Sequence, residues 1–417
     1  MTATAVRPLP CLPADRDLPG AFDLLAGPGL DRVARFLDQR GLEPHRVEPA
    51  QAHYRPGRWL TVCFRTASVE RAGGRPVDLT VTVDWRPDEP VAVWAFPDDP
   101  SLPGLAPAAD GGALRRRLRP HPAAVTVEPL RYRPRRRAVL RYRLPGDRVL
   151  YGKVVTPKAG QRLLALADAF RGDGSGLRLA LPIGRLGPGA LILPEMVGPS
   201  LRDVLLAGGP LPRPERIARL PEALHRRAVA AGVPDDRLPA RRVDPCTALA
   251  AARVAARLLP DRACAAGRLA EAVTAFSEAE SSWGSAERFV HGDLYENQVL
   301  VDGDRLGLVD LDDLGPGDPL LDAANFSAHL LLLGSSATPA GGTILRFRDE
   351  LRAAFCRRLE ADPADLAWRE AYCLLCLASG PFRVLHPEWP RRMADRLALA
   401  GDALPRRRAE RVSPSNA

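Results

Sequence analysis

Lysine is almost absent from this chain of 417 residues. It occurs only at Lys153 and Lys158, although Lys and Arg together number 59. Arginine does not replace lysine where a compact ammonium group must reach an anion from a confined strand. Lys153 lies in the alternating apolar run RVLYGKVV, which predicts a strand, and Lys158 follows a proline at a predicted strand-to-helix turn. We interpret Lys153 as functional and Lys158 as solvated; the alternative for Lys153 is a lysine at a sheet edge.

Long apolar segments and paired cysteines are also missing. No apolar run approaches the roughly eighteen residues of a membrane-spanning helix, and the start of the chain has no apolar stretch typical of a secretion signal. The seven cysteines are scattered and odd in number, which is typical of a reducing compartment and not of a disulfide framework. We therefore predict a cytoplasmic protein without a membrane segment.

The chain carries a net charge of +9, yet no nucleic-acid-binding module is recognisable. Arginine triplets occur at 115–117, 135–137 and 406–408, but aromatic residues do not alternate with them. No helix-turn-helix or zinc-knuckle pattern is present either. We predict no nucleic-acid partner and interpret most of this charge as solvated surface. A nucleic-acid-binding protein is kept as a less favoured alternative.

One segment reverses the charge balance of the chain. Between Val290 and Ala323 nine acidic residues accompany a single base, Arg305. Carboxylates at this density repel one another unless a cation lies among them. The bland alternative is a pair of solvated, Asp-rich turns, but the flanking apolar runs FVHGD and LGLVDLD predict buried strands. We therefore predict a cation-dependent site here.

Two acids of this segment stand at the ends of predicted strands. Asp293 ends the run FVHGD, and Asp310 follows seventeen residues later at the end of LGLVD. Phosphoryl transfer from a nucleotide needs two such carboxylates, one to orient and deprotonate an attacking hydroxyl and one to hold magnesium. Asp312 lies two residues beyond Asp310, so on an extended segment both side chains point the same way and can share a metal.

The string HGDLYENQVL followed by VDLDD resembles the catalytic and metal-binding loops of the aminoglycoside phosphotransferase family. The resemblance extends over about 125–390 and is closest to maltokinase-type sugar kinases. It implies a protein-kinase-like fold, ATP and Mg²⁺ as cofactors, and a small-molecule hydroxyl acceptor. By this resemblance Asp293 is the catalytic base, His291 organises its loop, Asp310 binds magnesium and Lys153 contacts the nucleotide phosphates.

The chain departs from the family pattern at two places. The family commonly has Asn five residues after the catalytic Asp, where this chain has Gln298; its amide oxygen also suits a hard cation, and we prefer it to Asn297. Kinases pair the strand lysine with a helix Glu, but PKAGQRLLALADAFRG has none and offers only Asp168 or Gln161. Either Lys153 is held differently or its strand assignment is wrong.

Further candidates surround these residues. The turn YRPxR occurs twice, from Tyr54 and from Tyr132, between strand-like runs, so two hairpins are predicted. In the second, Arg135 to Arg137 meet the phosphates or form a solvated tip, since the chain has no Gly-rich loop. Asp322 caps the helix after the metal loop or, by the resemblance, braces the catalytic loop. By the resemblance, Glu195 and Met196 lie on the adenine side of a hinge. The last candidates are Arg383, His386 and Trp389, which contact a substrate or pack in the core.

We therefore predict an α+β, protein-kinase-like bilobal fold with an additional N-terminal cap. The predicted divisions are 1–123 for the cap, 124–200 for the N-lobe with its hinge, 201–404 for a mostly helical C-lobe and 405–417 for a disordered basic tail. The function we predict is an ATP- and Mg²⁺-dependent phosphotransferase that phosphorylates a hydroxyl of an aminoglycoside, a sugar, an amino-sugar or a secondary metabolite. The alternative is a catalytically silent nucleotide-binding or regulatory protein of the same fold.

Overall fold

The computed structural model describes residues 15–118, 121–171, 177–233, 238, 240–281 and 288–405. Two antiparallel sheets come first, and a mostly helical region follows. The predicted α+β class is confirmed. The predicted domain divisions stay predictions, and the predicted tail lies outside the described residues from 406 onward.

The first sheet is a four-stranded meander that buries one face. Alternating apolar residues of its central strands, among them Leu60, Phe64 and Val83, pack with Val33 and Leu37 of the first helix. Register shifts on the edge strand fall at its two prolines, where a missing N–H is tolerated. The elements are helix α1 (Gly27–Asp38) and strands β1 (Leu42–Arg55), β2 (Trp59–Glu70), β3 (Pro76–Trp85) and β4 (Ala92–Ala95).

The second sheet is five-stranded, and its two faces differ in character. Leu140, Tyr142 and Val154 point to a face that packs with Leu105 and Leu114 of two short helices, so these helices, although inside 1–123, cover the second sheet. The opposite face carries the polar residues of the candidate site. The elements are α2 (Leu105–Ala109), α3 (Gly111–Arg117), β5 (Thr126–Arg133), β6 (Arg137–Arg143), β7 (Val149–Val155), α4 (Pro157–Ala169), β8 (Arg178–Leu179), β9 (Gly184–Gly187) and β10 (Ala190–Pro194), with sheet order β5-β6-β7-β10-β9.

Both YRPxR turns are hairpin turns, as predicted, and they share their stabilising contacts. In the first, Asp15 Oδ2 accepts hydrogen bonds from the Tyr54 hydroxyl (2.5 Å) and the Gly57 backbone N–H (2.9 Å). In the second, Asp99 Oδ2 accepts from the Tyr132 hydroxyl (2.8 Å) and the Arg135 backbone N–H (2.7 Å). Gly57 and Arg135 both have left-handed φ, 64° and 60°. The repeat therefore extends to the acid that holds each turn.

The two copies of the repeat differ at the strand that follows each hairpin. Thr61 pairs with Asp84 in the first sheet, and Val139, at the same distance from its turn, pairs with Lys153 in the second. The first sheet thus carries a buried acid at the position that Lys153 occupies in the second. A carboxylate there cannot take the role of an ammonium group toward phosphates.

The rest of the chain is mostly helical and contains the acidic segment 290–323. A large core containing Phe326, Phe355 and Trp389 joins these helices. Within the described ranges, no helix is long and apolar enough to cross a membrane. The elements are α5 (Leu201–Ala207), α6 (Pro214–Ala218), α7 (Leu220–Ala230), α8 (Pro245–Leu258), α9 (Ala263–Ser281), β11 (Arg288–Val290), β12 (Val299–Asp302), β13 (Arg305–Leu308), β14 (Gly315–Gly317), α10 (Pro319–Gly334), α11 (Gly341–Leu359), α12 (Pro363–Leu377), α13 (Gly380–Arg383) and α14 (Trp389–Ala403).

Candidate active site

The loop after β11 is built around a buried histidine. His291 is completely buried, and its Nε2 lies 2.9 Å from the Val309 carbonyl oxygen, which ties this loop to the segment before Asp310. Gly292 has φ 80°, and a Cβ at this position would lie 2.4 Å from the Asp313 carbonyl oxygen. Glycine is therefore required here by both conformation and space. His291 organises the loop and does not reach the cavity described below.

Asp322 braces the same loop from helix α10. Its carboxylate accepts hydrogen bonds from the backbone N–H groups of His291 (2.7 Å) and Gly292 (2.9 Å). The alternative role of helix cap is wrong, because Asp318 caps α10 by accepting from the Leu320 N–H at 2.9 Å. Burial raises the pKa of Asp322 to about 7 and outweighs these hydrogen bonds. Since the folded-state pKa lies above the unfolded one, Asp322 destabilises the fold progressively as pH rises from about 4 to about 7.

We expect Asp322→Ala to lower the free energy of unfolding by about 2 to 5 kcal/mol. The substitution leaves two buried N–H groups without an acceptor, at about 1 to 3 kcal/mol each. Urea denaturation at pH 5, where the carboxyl is largely protonated and adds little penalty of its own, measures the loss. Asp395→Ala is the matched control, because Asp395 forms only an exposed ion pair on α14. A loss no larger than that of the control contradicts the bracing role.

Asp293 lies one residue beyond Gly292, at the mouth of the loop. Asn325 Nδ2, one turn after Asp322 on α10, donates to Leu294 O at 3.1 Å and lies 3.4 Å from Asp293 Oδ1. Burial, followed by the nearby charges of Asp310 and Asp313, raises the pKa of Asp293 to about 6. A carboxylate with such a pKa is ionised at neutral pH but is a stronger base than an ordinary Asp. Asn325 was missed in the sequence because a single Asn in an apolar helix carries no distinguishing pattern.

Asp310 lies at the centre of a cluster with four other predicted residues, which are Lys153, Arg137, Asp312 and Gln298. The Lys153 Nζ lies 2.5 Å from Asp310 Oδ1 and 2.6 Å from Asp312 Oδ1. Arg137 Nη1 lies 3.1 Å from Asp310 Oδ2 and 3.2 Å from Asp312 Oδ2. Gln298 is buried, and its side-chain amide nitrogen lies 3.4 Å from Asp310 Oδ2. The structure therefore gathers five residues that the sequence separates by up to 175 positions.

Two cations and two carboxylates balance each other in this cluster. Burial alone would raise the pKa of Asp310, but the charges of Lys153 and Arg137 outweigh it and hold that pKa well below its usual range. Lys153 is in a strand, as predicted, and is paired with the metal-loop acids and not with an acid of α4. Helix α4 instead directs Arg162 to the Asp312 carbonyl oxygen. Of the two explanations for the missing helix Glu, the structure therefore supports the first, that Lys153 is held by other residues.

The oxygen donors of the cluster suit magnesium. Mg²⁺ prefers carboxylate and amide oxygens, which Asp310, Asp312 and Gln298 supply. The oxygen and nitrogen of a side-chain amide can be exchanged by a half-turn rotation of the amide group. After this rotation the Gln298 oxygen, instead of its nitrogen, faces Asp310. In the described part of the chain no group of three His, Cys, Asp or Glu residues has a metal-binding arrangement. The donor set thus depends on the glutamine.

A cavity of about 590 Å³ opens beside this cluster, between the second sheet and the helical region. Its size is that of a small-molecule site. Met196 lines it, whereas the Glu195 side chain is exposed and does not line it. The adenine-side position of Met196 stays a prediction. A larger cavity of about 1390 Å³ lies near α5 and α6 and contains none of the predicted site residues. The lining of the smaller cavity includes Lys153, Asp310, Gln298, Tyr151, Leu193 and Met196.

Arg135 is placed away from this cavity, against the expectation that it contacts phosphates. Its Nη2 lies 2.8 Å from Asp84 Oδ2, and its guanidinium stacks 5.2 Å from the Trp94 ring centroid. The buried acid of the first sheet thus holds the tip of the second hairpin. Arg137, two residues on, points to the opposite side and reaches Asp310.

Comparisons with known proteins agree with this arrangement. The model of the phosphotransferase enzyme family, APH, matches residues 184–372. The resemblance carried by HGDLYENQVL and VDLDD is confirmed at the level of the family, whereas the maltokinase-type branch is not confirmed. The loops of Asp293 and Asp310 both lie inside the matched range. The family match therefore supports a small-molecule phosphotransferase.

Solved structures give a weaker similarity. A choline kinase from Cryptosporidium parvum has 11% identity and a TM-score of 0.48, covering 73% of this chain and 92% of its own. An aminoglycoside phosphotransferase from Streptomyces rimosus has 21% identity and a TM-score of 0.41, with coverages of 60% and 91%. A choline/ethanolamine kinase family protein from Mesorhizobium loti has 17% identity and a TM-score of 0.45, covering 67% of this chain and 87% of its own. Curated protein sequences gave no match. Similarities this low do not indicate an acceptor.

Proposed function

We propose that this protein is an ATP- and Mg²⁺-dependent phosphotransferase that phosphorylates a hydroxyl of a small molecule in the cytoplasm. The observation that carries the proposal is that Lys153 and Asp310 line one cavity, with Asp293 within electrostatic range of Asp310. Lys153 is the chain's one buried lysine, and it meets the acids of the metal loop at 2.5 and 2.6 Å. A binding protein without catalysis has no need of Asp293 in addition.

Each residue has a defined task in the transfer. Asp293 accepts the proton of the acceptor hydroxyl as its oxygen bonds to the γ-phosphorus and the bond to the ADP oxygen breaks. Lys153 and Arg137 hold the nucleotide phosphates, and Met196 lies on the adenine side of the cavity. Asp310 and Gln298, together with Asp312, hold magnesium, which when bound neutralises the phosphate oxygens.

Turnover of ATP against a panel of acceptors tests this function. The panel contains aminoglycosides, neutral sugars, amino-sugars and sugar phosphates, and each is assayed with and without Mg²⁺. We expect Mg²⁺-dependent formation of ADP with one acceptor class. Binding of Mg-ATP is measured beside it by calorimetry, and a protein that does not bind Mg-ATP contradicts the proposal.

A catalytically silent nucleotide-binding protein is the second candidate. It is favoured by one observation, that Lys153 and Arg137 are both engaged by Asp310 and Asp312 and not free for phosphates. Tight Mg-ATP binding together with no turnover for any acceptor or for water distinguishes this candidate from the enzyme.

A further inference from the structure

Four arginines gather beside the catalytic loop. Arg131, Arg133 and Arg136 belong to the β5–β6 hairpin, and Arg383 ends helix α13. Within the described ranges, none of the four forms an ion pair with a carboxylate. Arg133 and Arg383 are partly buried, and Arg131 and Arg136 are exposed. Two other partly buried arginines do have acidic partners, Arg369 with Asp318 and Arg348 with Glu370. We call these four residues the arginine cluster.

The geometry of β5 directs the cluster toward Asp293. Tyr132 is buried in the core on the far face of the second sheet, so its neighbours Arg131 and Arg133 point to the near face. Arg131 contacts the hydroxyl of Tyr295, two residues after Asp293. Arg383 approaches the same place from the helical region, within electrostatic range of Asp293 and Tyr295.

The cluster is separate from the groups proposed to hold the nucleotide. Of its four members only Arg131 lines the cavity that Lys153 and Asp310 share. Arg133, Arg136 and Arg383 lie instead near His53 of strand β1, on the side where the first sheet adjoins α13. The acceptor must approach Asp293 from outside the nucleotide cavity, which is the side that the cluster occupies.

Like charges at this density are unfavourable in the unliganded protein. Burial, followed by the charges of Arg383, Arg131, Arg137 and Arg136, lowers the pKa of Arg133 to about 9. The same combination of burial and neighbouring arginines lowers the pKa of His53 to about 3, so this ring adds no positive charge. An anion among the guanidinium groups removes the repulsion, and the planar guanidinium fork matches phosphate and carboxylate oxygens.

We propose that the acceptor carries an anionic group, a phosphate or a carboxylate, in addition to the hydroxyl that is phosphorylated. The arginine cluster binds the anion, and Asp293 meets the hydroxyl. This inference rests on the proposed function, since the position of the acceptor is defined by Asp293. The proposal restricts the possible acceptors to hydroxyl compounds that carry an anionic group. It disfavours polycationic aminoglycosides, because the arginine cluster repels them.

Thermal shift with minimal anions tests the cluster without knowing the acceptor. The full chain is first saturated with Mg²⁺ and AMPPNP, which fills the γ-phosphate position, and is then titrated with inorganic phosphate, acetate or chloride at constant ionic strength. We expect phosphate or acetate to raise Tm more than chloride, and the active one of the two identifies the anion class. In Arg383→Gln the anion affinity falls by about ten- to a hundredfold, the range for one charged hydrogen bond.

Two further variants protect this test against a folding artefact. Arg136→Gln removes an exposed member of the cluster and is also expected to lower the affinity for the anion. Arg391→Gln, on α14 and paired with Glu388, is the matched control and leaves the anion affinity unchanged. Equal shifts with chloride, or equal anion affinity in Arg383→Gln, Arg136→Gln and the control, overturn the proposal.

The same experiment separates this proposal from the proposed function. Anion binding that is lost when AMPPNP is added places the anion at the γ-phosphate position and also overturns the acceptor proposal. A protein that does not respond to Mg²⁺ with AMPPNP contradicts the phosphotransferase function by itself. In that case the titration without the analogue still shows whether the arginine cluster binds anions.

Discussion

Asp293→Asn is expected to lower kcat by about 10² to 10⁴-fold while Mg-ATP binds within about twofold of wild type. The amide keeps the size of the carboxylate and its contact with Asn325 but cannot accept the acceptor's proton, and general base catalysis contributes a factor in this range. Steady-state kinetics with the acceptor found in the panel measures kcat, and calorimetry measures nucleotide binding.

Asp313→Asn is the matched control for this variant. Asp313 belongs to the same acidic segment and lies near Asp293, but its carboxylate pairs with Arg241 at 2.5 Å. We expect it to retain activity within about tenfold. If the two variants lose activity equally, the effect belongs to the charge of the segment and Asp293 is not the base.

The pH profile gives an independent readout of the same group. The base acts only when it is deprotonated, and burial raises its pKa to about 6, so kcat/KM of the wild type should fall as pH drops below about 6. An unburied Asp would place this fall near pH 4. In Asp293→Asn the residual activity should show no such limb.

Lys153→Met is expected to destabilise the protein by about 3 to 5 kcal/mol and to abolish turnover. The change leaves Asp310 and Asp312 facing each other inside the protein with only Arg137 to balance them, and removing one partner of a buried ion pair costs this much. Denaturant unfolding without magnesium or nucleotide measures the stability. The stability change must be measured at a pH where both acids are ionised.

Magnesium distinguishes the role of Lys153 from simple packing. In Lys153→Met the carboxylates of Asp310 and Asp312 no longer pair with an ammonium group, so Mg²⁺ can bind them in the absence of nucleotide. About 10 mM Mg²⁺ should therefore raise the free energy of unfolding of Lys153→Met more than that of the wild type. Lys158→Met is the matched control, because Lys158 is the only other lysine and is exposed. An equal response of all three proteins to Mg²⁺ contradicts a metal site at Asp310.

Much of the site was predictable because local patterns carry it. Asp293 and Asp310 each follow an apolar run that ends a strand, and the structure has β11 and β13 ending at Val290 and Leu308. The strand of Lys153 and both YRPxR hairpins follow from alternation and turn residues, which depend on neighbours in the sequence. The roles proposed for these residues stay predictions until the variants are measured.

The partners of these residues were decided by tertiary structure. Lys153 meets Asp310 across 157 positions, and no local pattern encodes a contact at that separation. Arg135 and Arg137 are two residues apart in a triplet that the sequence treats alike, yet Arg135 pairs with Asp84 of the first sheet and Arg137 with Asp310. The direction of each depends on sheet packing.

The sequence alone thus determined the strands before Asp293 and Asp310, the strand of Lys153 and both YRPxR hairpins, because hydrophobic alternation and turn chemistry act over a few residues. Only the tertiary structure decided which charges are balanced. It placed Asp84 beside Arg135 and paired Lys153 with Asp310 and Asp312. It also brought together Arg131, Arg133, Arg136 and Arg383, which form no ion pair with an acid among the residues that the structure describes. Electrostatic balance is a property of groups brought close by the packing of distant segments, and composition does not reveal it.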